Sequence, residues 1–181
     1  MFFELIRKRR SIRRFTNQAV EKEKIDSLIE AALRSPSSRD IRPWQFVVVD
    51  QPDLLKKLAR AKPHGSSFLQ NAPLGIVVCA DAAASDVWVE DAAIASTFIH
   101  LAARDLDLGS CWIQIRKRDH SDSKTAEAYV KEILHIPDTM WIASIIAIGY
   151  PDEIKQGHAT DTLAYDKVFF NQYSPLKTNG R

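Results

Sequence analysis

The sequence predicts a single globular domain of the α+β or α/β sandwich class. The chain has 181 residues, of which 45% are hydrophobic and 27% are charged, and a chain of this length and composition buries a substantial core. Strand patterns are separated by helix patterns rather than by tight turns. No internal repeat or interdomain linker interrupts the pattern, so we expect residues 1–181 to form one domain.

Two helices and two strands are predicted in the first half of the chain. Apolar residues repeat at spacings of three and four from Val20 to Ser35, which predicts an amphipathic helix ended by Pro36. A β-branched run over 45–49 predicts a buried strand, and Pro52 then opens a short helix. A second apolar run over 75–79 predicts the next strand.

The second half contains a long central helix, two strands and one further helix. Segment 88–106 is apolar around most of its circumference and rich in small residues, which indicates a helix that packs on several sides, including against a second subunit. Strands are predicted over 110–115 and 141–148, with a helix over 123–134 between them. Residues 152–181 have no core of their own, and we expect this C-terminal extension to pack on the same or a partner subunit.

Six of the eight residues from Arg7 to Arg14 are basic. The other 19 Lys and Arg (25 minus 6) face 23 Asp and Glu, so positive charge is concentrated in this basic run. Charge alone leaves three interpretations open: a solvated face, a patch for nucleic acid or localisation, and a discrete phosphate pocket. Ser11 inside the run favours the pocket, because an electrostatic patch has no need of a hydroxyl.

Several cofactor classes lack their sequence signatures. The chain has six glycines and no GxG, so the Rossmann fingerprint and the P-loop are absent, and side chains would have to hold a nucleotide. No two histidines lie three or four residues apart, and Cys79 and Cys111 form no CxxC pair, so we expect no metal and two buried cysteines. No apolar run approaches ~18 residues, and we expect a cytoplasmic protein that does not enter membranes.

A polar loop over residues 35–44 joins the first predicted helix to the first strand. It reads Ser-Pro-Ser-Ser-Arg-Asp-Ile-Arg-Pro-Trp. Its hydroxyl and amide groups suit a polar ligand, although an ordinary connection with a buried Trp44 has the same composition.

The order of these features resembles the FMN-dependent nitroreductase family. The motifs are Arg-Arg-Ser-Ile-Arg-Arg-Phe (9–15), the loop over 35–44, Ala-Pro (72–73), Gly-Ser-Cys-Trp-Ile (109–113) and Gly-Tyr-Pro (149–151). The resemblance covers roughly residues 5–155. It implies an α+β fold, a three-layer sandwich whose mixed sheet is flanked by helices, with the central helix forming a dimer.

The resemblance also implies a homodimer with FMN at the subunit interface. The cofactor-binding positions carried over are Arg9, Arg10, Ser11, Arg13, Pro36, Ser37, Ser38, Asp40, Trp112, Ile113 and Gly149. The first three would hold the phosphate, Arg13 would lie near N1 and O2 of the ring, and residues 36–40 would come from the other subunit. Trp112 and Ile113 would pass one ring face, with a backbone N–H near Ile113 or Gln114 aimed at N5. Gly149 would allow a close backbone approach.

The activity implied is ping-pong hydride transfer from NADH or NADPH through FMN to an electron-poor small molecule such as a nitroaromatic or a quinone. No protein residue needs to act as a nucleophile or base, because the flavin N5 carries the chemistry, while Arg13 stabilises the charge of reduced flavin. Two alternatives stay open: an FMN-binding protein with another redox task, and a basic module that binds nucleic acid.

Some positions depart from the family pattern or have a structural interpretation. Relatives often carry Asn and Gln where this chain has Asp40 and Arg42, and a pair between these two would compensate; Phe169 stands where short relatives often have His. Trp44, Trp88 and Trp141 are predicted to be packing residues. His100 is predicted to be a hydrogen-bonded core histidine.

Overall fold

A computed structural model of the protein describes residues 2–173, and its centre is a four-stranded sheet. The strands are β1 (Trp44–Val49), β2 (Leu74–Asp81), β3 (Gly109–Gln114) and β6 (Met140–Gly149), in the spatial order β1-β2-β6-β3. A small hairpin of β4 (Asp119–Ser121) and β5 (Lys124–Thr125) lies outside this sheet. The central strands β2 and β6 are almost continuously buried, because helices cover both sheet faces.

Five helices complete the three layers. They are α1 (Phe2–Lys8), α2 (Lys22–Leu33), α3 (Pro52–Leu58), α4 (Trp88–Asp105) and α5 (Ala126–Leu134). Apolar residues of α2 and α4 pack with one face of the sheet, and those of α3 and α5 pack with the other. Helix α5 begins where the Thr125 hydroxyl accepts the Ala128 N–H at 3.1 Å, and it ends at His135, which adopts a left-handed conformation.

The predicted α+β sandwich is confirmed, with one correction to the sheet. All neighbouring strands in the four-stranded sheet are antiparallel, so the expectation of a mixed sheet is wrong for these strands. After the helix that follows β1, the chain enters β2, which lies beside β1 and runs antiparallel to it. Among residues 2–173, the parallel pairing is a single bridge between Ser11 and Ser110.

Two elements were not predicted, and one boundary moves. Helix α1 was missed because it is short and buries no residue, and the β4–β5 hairpin takes the first residues of the helix predicted over 123–134. Trp44 and Trp88 are buried as predicted. Trp141 packs on Trp88 with ring centroids 6.2 Å apart, yet it stays 47% exposed. Cys79 and Cys111 are free and buried, as predicted.

The first part of the C-terminal extension crosses the basic run, and residues 158–173 are almost entirely exposed. The last eight residues of the extension, 174–181, lie outside the described residues. Among residues 2–173, no helix combines the length and the apolar character that a membrane crossing needs.

Candidate functional site

A cavity of about 340 Å³ lies between the basic run and the start of β3. Its lining includes Arg9, Arg10 and Arg104, together with Ser110 of β3. Among residues 2–173, neither Arg9 nor Arg104 has a carboxylate within 4.0 Å. The lining has one acidic residue, Glu153. The cavity is therefore electropositive and suits an anion.

The backbone of the basic run is bound to the edge of the sheet. Ile12 N–H donates to Ser110 O at 3.0 Å, and Thr16 N–H donates to Tyr150 O at 2.9 Å. Gly109 is required at this contact, because a Cβ there would lie 2.8 Å from the Ile12 Cβ. The segment is thus held in place before a ligand arrives.

Residues 152–157, called here the strap, close the other side of the basic run. The Glu153 carboxylate accepts the N–H groups of Arg13 at 2.5 Å and Arg14 at 3.2 Å. Lys155 Nζ donates to Ser11 O at 2.9 Å, and Arg10 donates to Gln156 O. Burial favours the neutral form of Glu153, but these N–H groups and the Lys155 ammonium outweigh burial, so its pKa is lowered.

The guanidinium of Arg13 remains available to a ligand. It lies 5.8 Å from the ring centroid of Phe68, and no carboxylate within residues 2–173 pairs with it. Burial raises the pKa of the nearby Cys111 thiol. The positive charge of Arg13 acts in the opposite direction, but its effect is smaller than that of burial.

The outer edge of β3 offers backbone donors beyond the cavity. In an antiparallel edge strand, every second residue turns its N–H and C=O away from the neighbouring strand. Ser110 O points outward to Ile12, so the backbone groups of Trp112 and Gln114 also point outward. The backbone groups of Ile113 point towards β6, where its partner is Ile145, and its side chain is fully buried. Among the residues that the structure describes, the amide that points outward near the predicted position therefore belongs to Gln114 rather than Ile113.

The polar loop over 35–44 has an unusual backbone. Arg39, Asp40 and Arg42 all have φ between 52° and 54°, in the left-handed region. The buried Asp91 carboxylate holds the loop by accepting Ser38 N–H at 2.8 Å and the Ser85 hydroxyl at 3.1 Å.

The predicted pair between Asp40 and Arg42 is confirmed. The Arg42 guanidinium donates to both carboxylate oxygens of Asp40, at 2.7 and 2.9 Å. The Ser37 hydroxyl, in turn, accepts the Arg42 N–H at 2.9 Å. The loop therefore presents a neutralised ion pair beside the hydroxyl groups of Ser37 and Ser38.

The predicted site residues fall into two separate groups within one chain. The loop is attached at Asp91, whereas the cavity is lined by Arg104, thirteen residues later on α4, or about 20 Å along the helix axis. Gly149 belongs to neither group. A Cβ there would meet Pro73 Cδ at 2.5 Å, so this glycine is explained by packing against the Ala72-Pro73 segment.

Sequence reasoning missed several residues around the site. Arg104, Glu153 and Lys155 reach the basic run from distant parts of the chain, and Asp91 supports the loop. Of these, Glu153 and Lys155 follow the Gly-Tyr-Pro motif within a few residues, which was the available signal. His100 is hydrogen-bonded as predicted, with Nδ1 2.7 Å from the Ser110 hydroxyl, but it is partly buried at the edge of the core.

Comparison with known proteins places this geometry in context. A family model described as Nitroreductase family matches residues 6–63 and 60–150. A protein of Archaeoglobus fulgidus, provisionally named NADH dehydrogenase/NAD(P)H nitroreductase, is 35% identical over 87% of this chain and 90% of its own length.

Two solved structures extend the comparison. An FMN-dependent nitroreductase from Clostridium difficile R20291 superposes with a TM-score of 0.93 and 45% identity, covering 94% of this chain and 99% of the other. The NADPH:FMN oxidoreductase from Vibrio harveyi, complexed with NAD+, superposes with a TM-score of 0.82 and 25% identity, covering 97% and 79%.

Proposed function

This chain belongs to the nitroreductase family of flavin-dependent oxidoreductases, which use FMN with NAD(P)H as reductant, and on that premise we propose that it reduces electron-poor acceptors such as nitroaromatics and quinones. The observation that carries the proposal is the electropositive cavity beside the free edge of β3. The flavin supplies hydride transfer between NAD(P)H and the acceptor.

The donor set of the cavity fits a flavin phosphate. Arg9 and Arg10 line it, whereas Ser11 lies beside it, between the strap and β3. Guanidinium groups bind phosphate through parallel hydrogen bonds, and each charge-assisted bond contributes ~1.5–3 kcal/mol. We assign the phosphate to these three residues.

Two further groups serve the flavin ring in this proposal. The guanidinium of Arg13, which has no carboxylate partner among residues 2–173, would stabilise negative charge on the N1 and O2 side of the ring and make reduction easier. The outward N–H of Gln114 would donate to the N5 side, and Trp112 would contact the ring. The indole N–H of Trp112 donates to Gln114 Oε1 at 2.9 Å, so the two side chains hold each other in place.

We further propose a homodimer in which residues 36–40 contact the flavin of the partner subunit. The loop and the cavity lie near opposite ends of α4, so a twofold axis across the middle of α4 would bring the loop of one copy to the cavity of the other. An apolar surface suits this contact. Phe2, Phe98 and Leu101 line one apolar groove between α1 and α4, and Phe3, Leu33 and Ile94 are exposed apolar residues of α1, α2 and α4.

The test begins with the visible absorbance spectrum of the purified protein and chromatography of the released cofactor. We expect flavin bands and about one FMN per chain. Oxidation of NADH and NADPH is then followed with a panel of nitroaromatics and quinones. Flavin without turnover of any acceptor would favour another redox task, whereas a colourless protein that takes up no added FMN would refute the flavin site.

The last control concerns the basic run. Salt-dependent binding of DNA to a protein that takes up no FMN would support the nucleic-acid alternative.

Both cysteines are free, which agrees with a cytoplasmic location for the enzyme.

A further inference from the structure

His100 contacts Ser110, which lines the cavity of the proposed site, and has no part in the chemistry described so far. It belongs to α4, on the sheet-facing side of the helix, and its Nδ1 lies 2.7 Å from the Ser110 hydroxyl. Its ring stacks on Trp112, with centroids 6.5 Å apart and planes 26° apart. A largely buried imidazole thus contacts two alternate residues of the same edge strand.

Ser110 connects this histidine to the basic run. Its backbone oxygen accepts Ile12 N–H at 3.0 Å, and Ser110 forms the bridge to Ser11. The position of the Ser11 hydroxyl therefore depends on where the start of β3 lies. The contacts of Ser110 join α4, β3 and the basic run in one chain of hydrogen bonds.

The protonation state of His100 agrees with such a structural contact. Burial and the positive charge of Arg9 lower the pKa of His100 to about 4, so the ring is neutral at physiological pH. A neutral ring can hydrogen-bond to the Ser110 hydroxyl without placing a charge in the site. This bond also satisfies Nδ1, since a buried polar atom without a partner would be destabilising.

We propose that His100 is a positioning residue for the phosphate end of the flavin site, acting through Ser110 on the segment that carries Ser11. This inference rests on the proposed function. It predicts that substitution of His100 lowers the affinity for FMN more than the affinity for riboflavin, which has the same ring system and no phosphate.

The test is fluorescence titration of the cofactor-free protein with FMN and with riboflavin. His100→Leu keeps the apolar contact with Trp112 and removes the hydrogen bond. We expect FMN to bind about tenfold more weakly to this variant, while the affinity for riboflavin stays within about twofold. His100→Asn retains a donor or acceptor near the position of Nδ1 and should recover most of the FMN affinity.

The matched control is His120→Leu. His120 is also hydrogen-bonded, to Arg60 O at 2.9 Å, and stacked, on Tyr129 with centroids 3.9 Å apart, but it belongs to β4 and packs against α5, which covers the other face of the sheet from α4. We expect it to leave the ratio of FMN to riboflavin affinity unchanged. Ser110→Ala combined with His100→Leu should weaken FMN binding no more than either change alone, because both act on one chain of contacts.

The outcomes separate the two proposals. A parent protein that binds neither flavin would refute both the function and this role. A parent that binds FMN, together with equal losses of FMN and riboflavin affinity in His100→Leu, would overturn the positioning role alone. Additive losses in the double variant would overturn the route through Ser110.

Discussion

The cations of the basic run differ in whether the protein already pairs them. Arg14 lies 3.2 Å from Asp152, and Lys8 lies 2.6 Å from Glu4. Both pairs are exposed, and exposed pairs contribute only about 0–1 kcal/mol to stability. Arg7, Arg9, Arg10 and Arg13 have no carboxylate partner among residues 2–173, although Arg10 donates to Gln156 O. The charge available to a ligand is therefore concentrated on these unpaired residues, a division that composition could not reveal.

Replacing Arg9 and Ser11 together by alanine should weaken FMN binding by roughly a hundredfold or more, since charge-assisted bonds to the phosphate are lost. The chain should still fold, because neither side chain belongs to the apolar core. Titration with FMN measures the effect, and circular dichroism checks the fold. Arg7→Ala is the control, because Arg7 belongs to the run but lies in the last turn of α1 and is not assigned to the phosphate. Unchanged affinity in the double variant would contradict the phosphate assignment.

The stability of the cofactor-free protein should depend on His100 in acid. The pKa of this histidine falls from 6.5 to about 4 on folding, so between these values the unfolded chain binds a proton that the folded chain does not. Stability is therefore present above pH 6.5 and lost as the pH falls towards 4. Between pH 7 and pH 4.5, urea unfolding should show about 2 kcal/mol more loss for the parent than for His100→Leu. Equal losses would show that His100 is not buried in its neutral form.

At the level of elements, the strands and the long helices were predictable because their apolar patterns are strong. The runs over 45–49, 75–79 and 141–148 lie within β1, β2 and β6. What the sequence could not reveal was their spatial order, because pairing depends on the return path of the chain. Helix α1 and the β4–β5 hairpin were missed because neither buries a regular apolar face.

Asp91→Ala should loosen the 35–44 loop without unfolding the domain. The buried carboxylate accepts Ser38 N–H and the Ser85 hydroxyl, and without it two buried donors lose their partner. We expect faster proteolysis after Arg39 and weaker FMN binding, measured by limited trypsin digestion and by titration. Ser85→Ala, which removes only one of the two donors, should have a smaller effect. Unaltered trypsin cleavage in Asp91→Ala would show that the loop is held by other contacts.

For the whole molecule, the family resemblance supplied the predicted cofactor-binding residues, but neither the supporting residues Arg104, Glu153 and Lys155 nor the separation into two groups. Pro36, Ser37, Ser38 and Asp40 lie near the start of α4, and the basic run lies near its end. The number of residues between the basic run and the loop does not predict this separation. It follows from the length of α4 and from the contacts at the two ends of that helix. The division is the main structural support for a shared site between two copies.

Ile94→Glu should disrupt the proposed dimer. Ile94 is an exposed apolar residue near the middle of α4, and a carboxylate there would be desolvated at a twofold contact and would face its own copy. Light scattering after size-exclusion chromatography should show a monomer that also binds FMN more weakly, because the partner loop is missing. Gln70→Glu makes the same charge change on the opposite layer and should remain a dimer. A dimeric Ile94→Glu variant would place the interface elsewhere.

The free edge of β3 has a consequence for handling the protein before it is loaded. Unpaired backbone groups on an edge strand are a template for another strand, and proteins usually protect such edges by covering them. If the flavin ring covers Trp112 and Gln114, cofactor binding also hides this template. Cofactor-free protein should therefore self-associate more readily on concentration or warming than loaded protein, and the vitamin supply of the cell would influence its solubility as well as its activity.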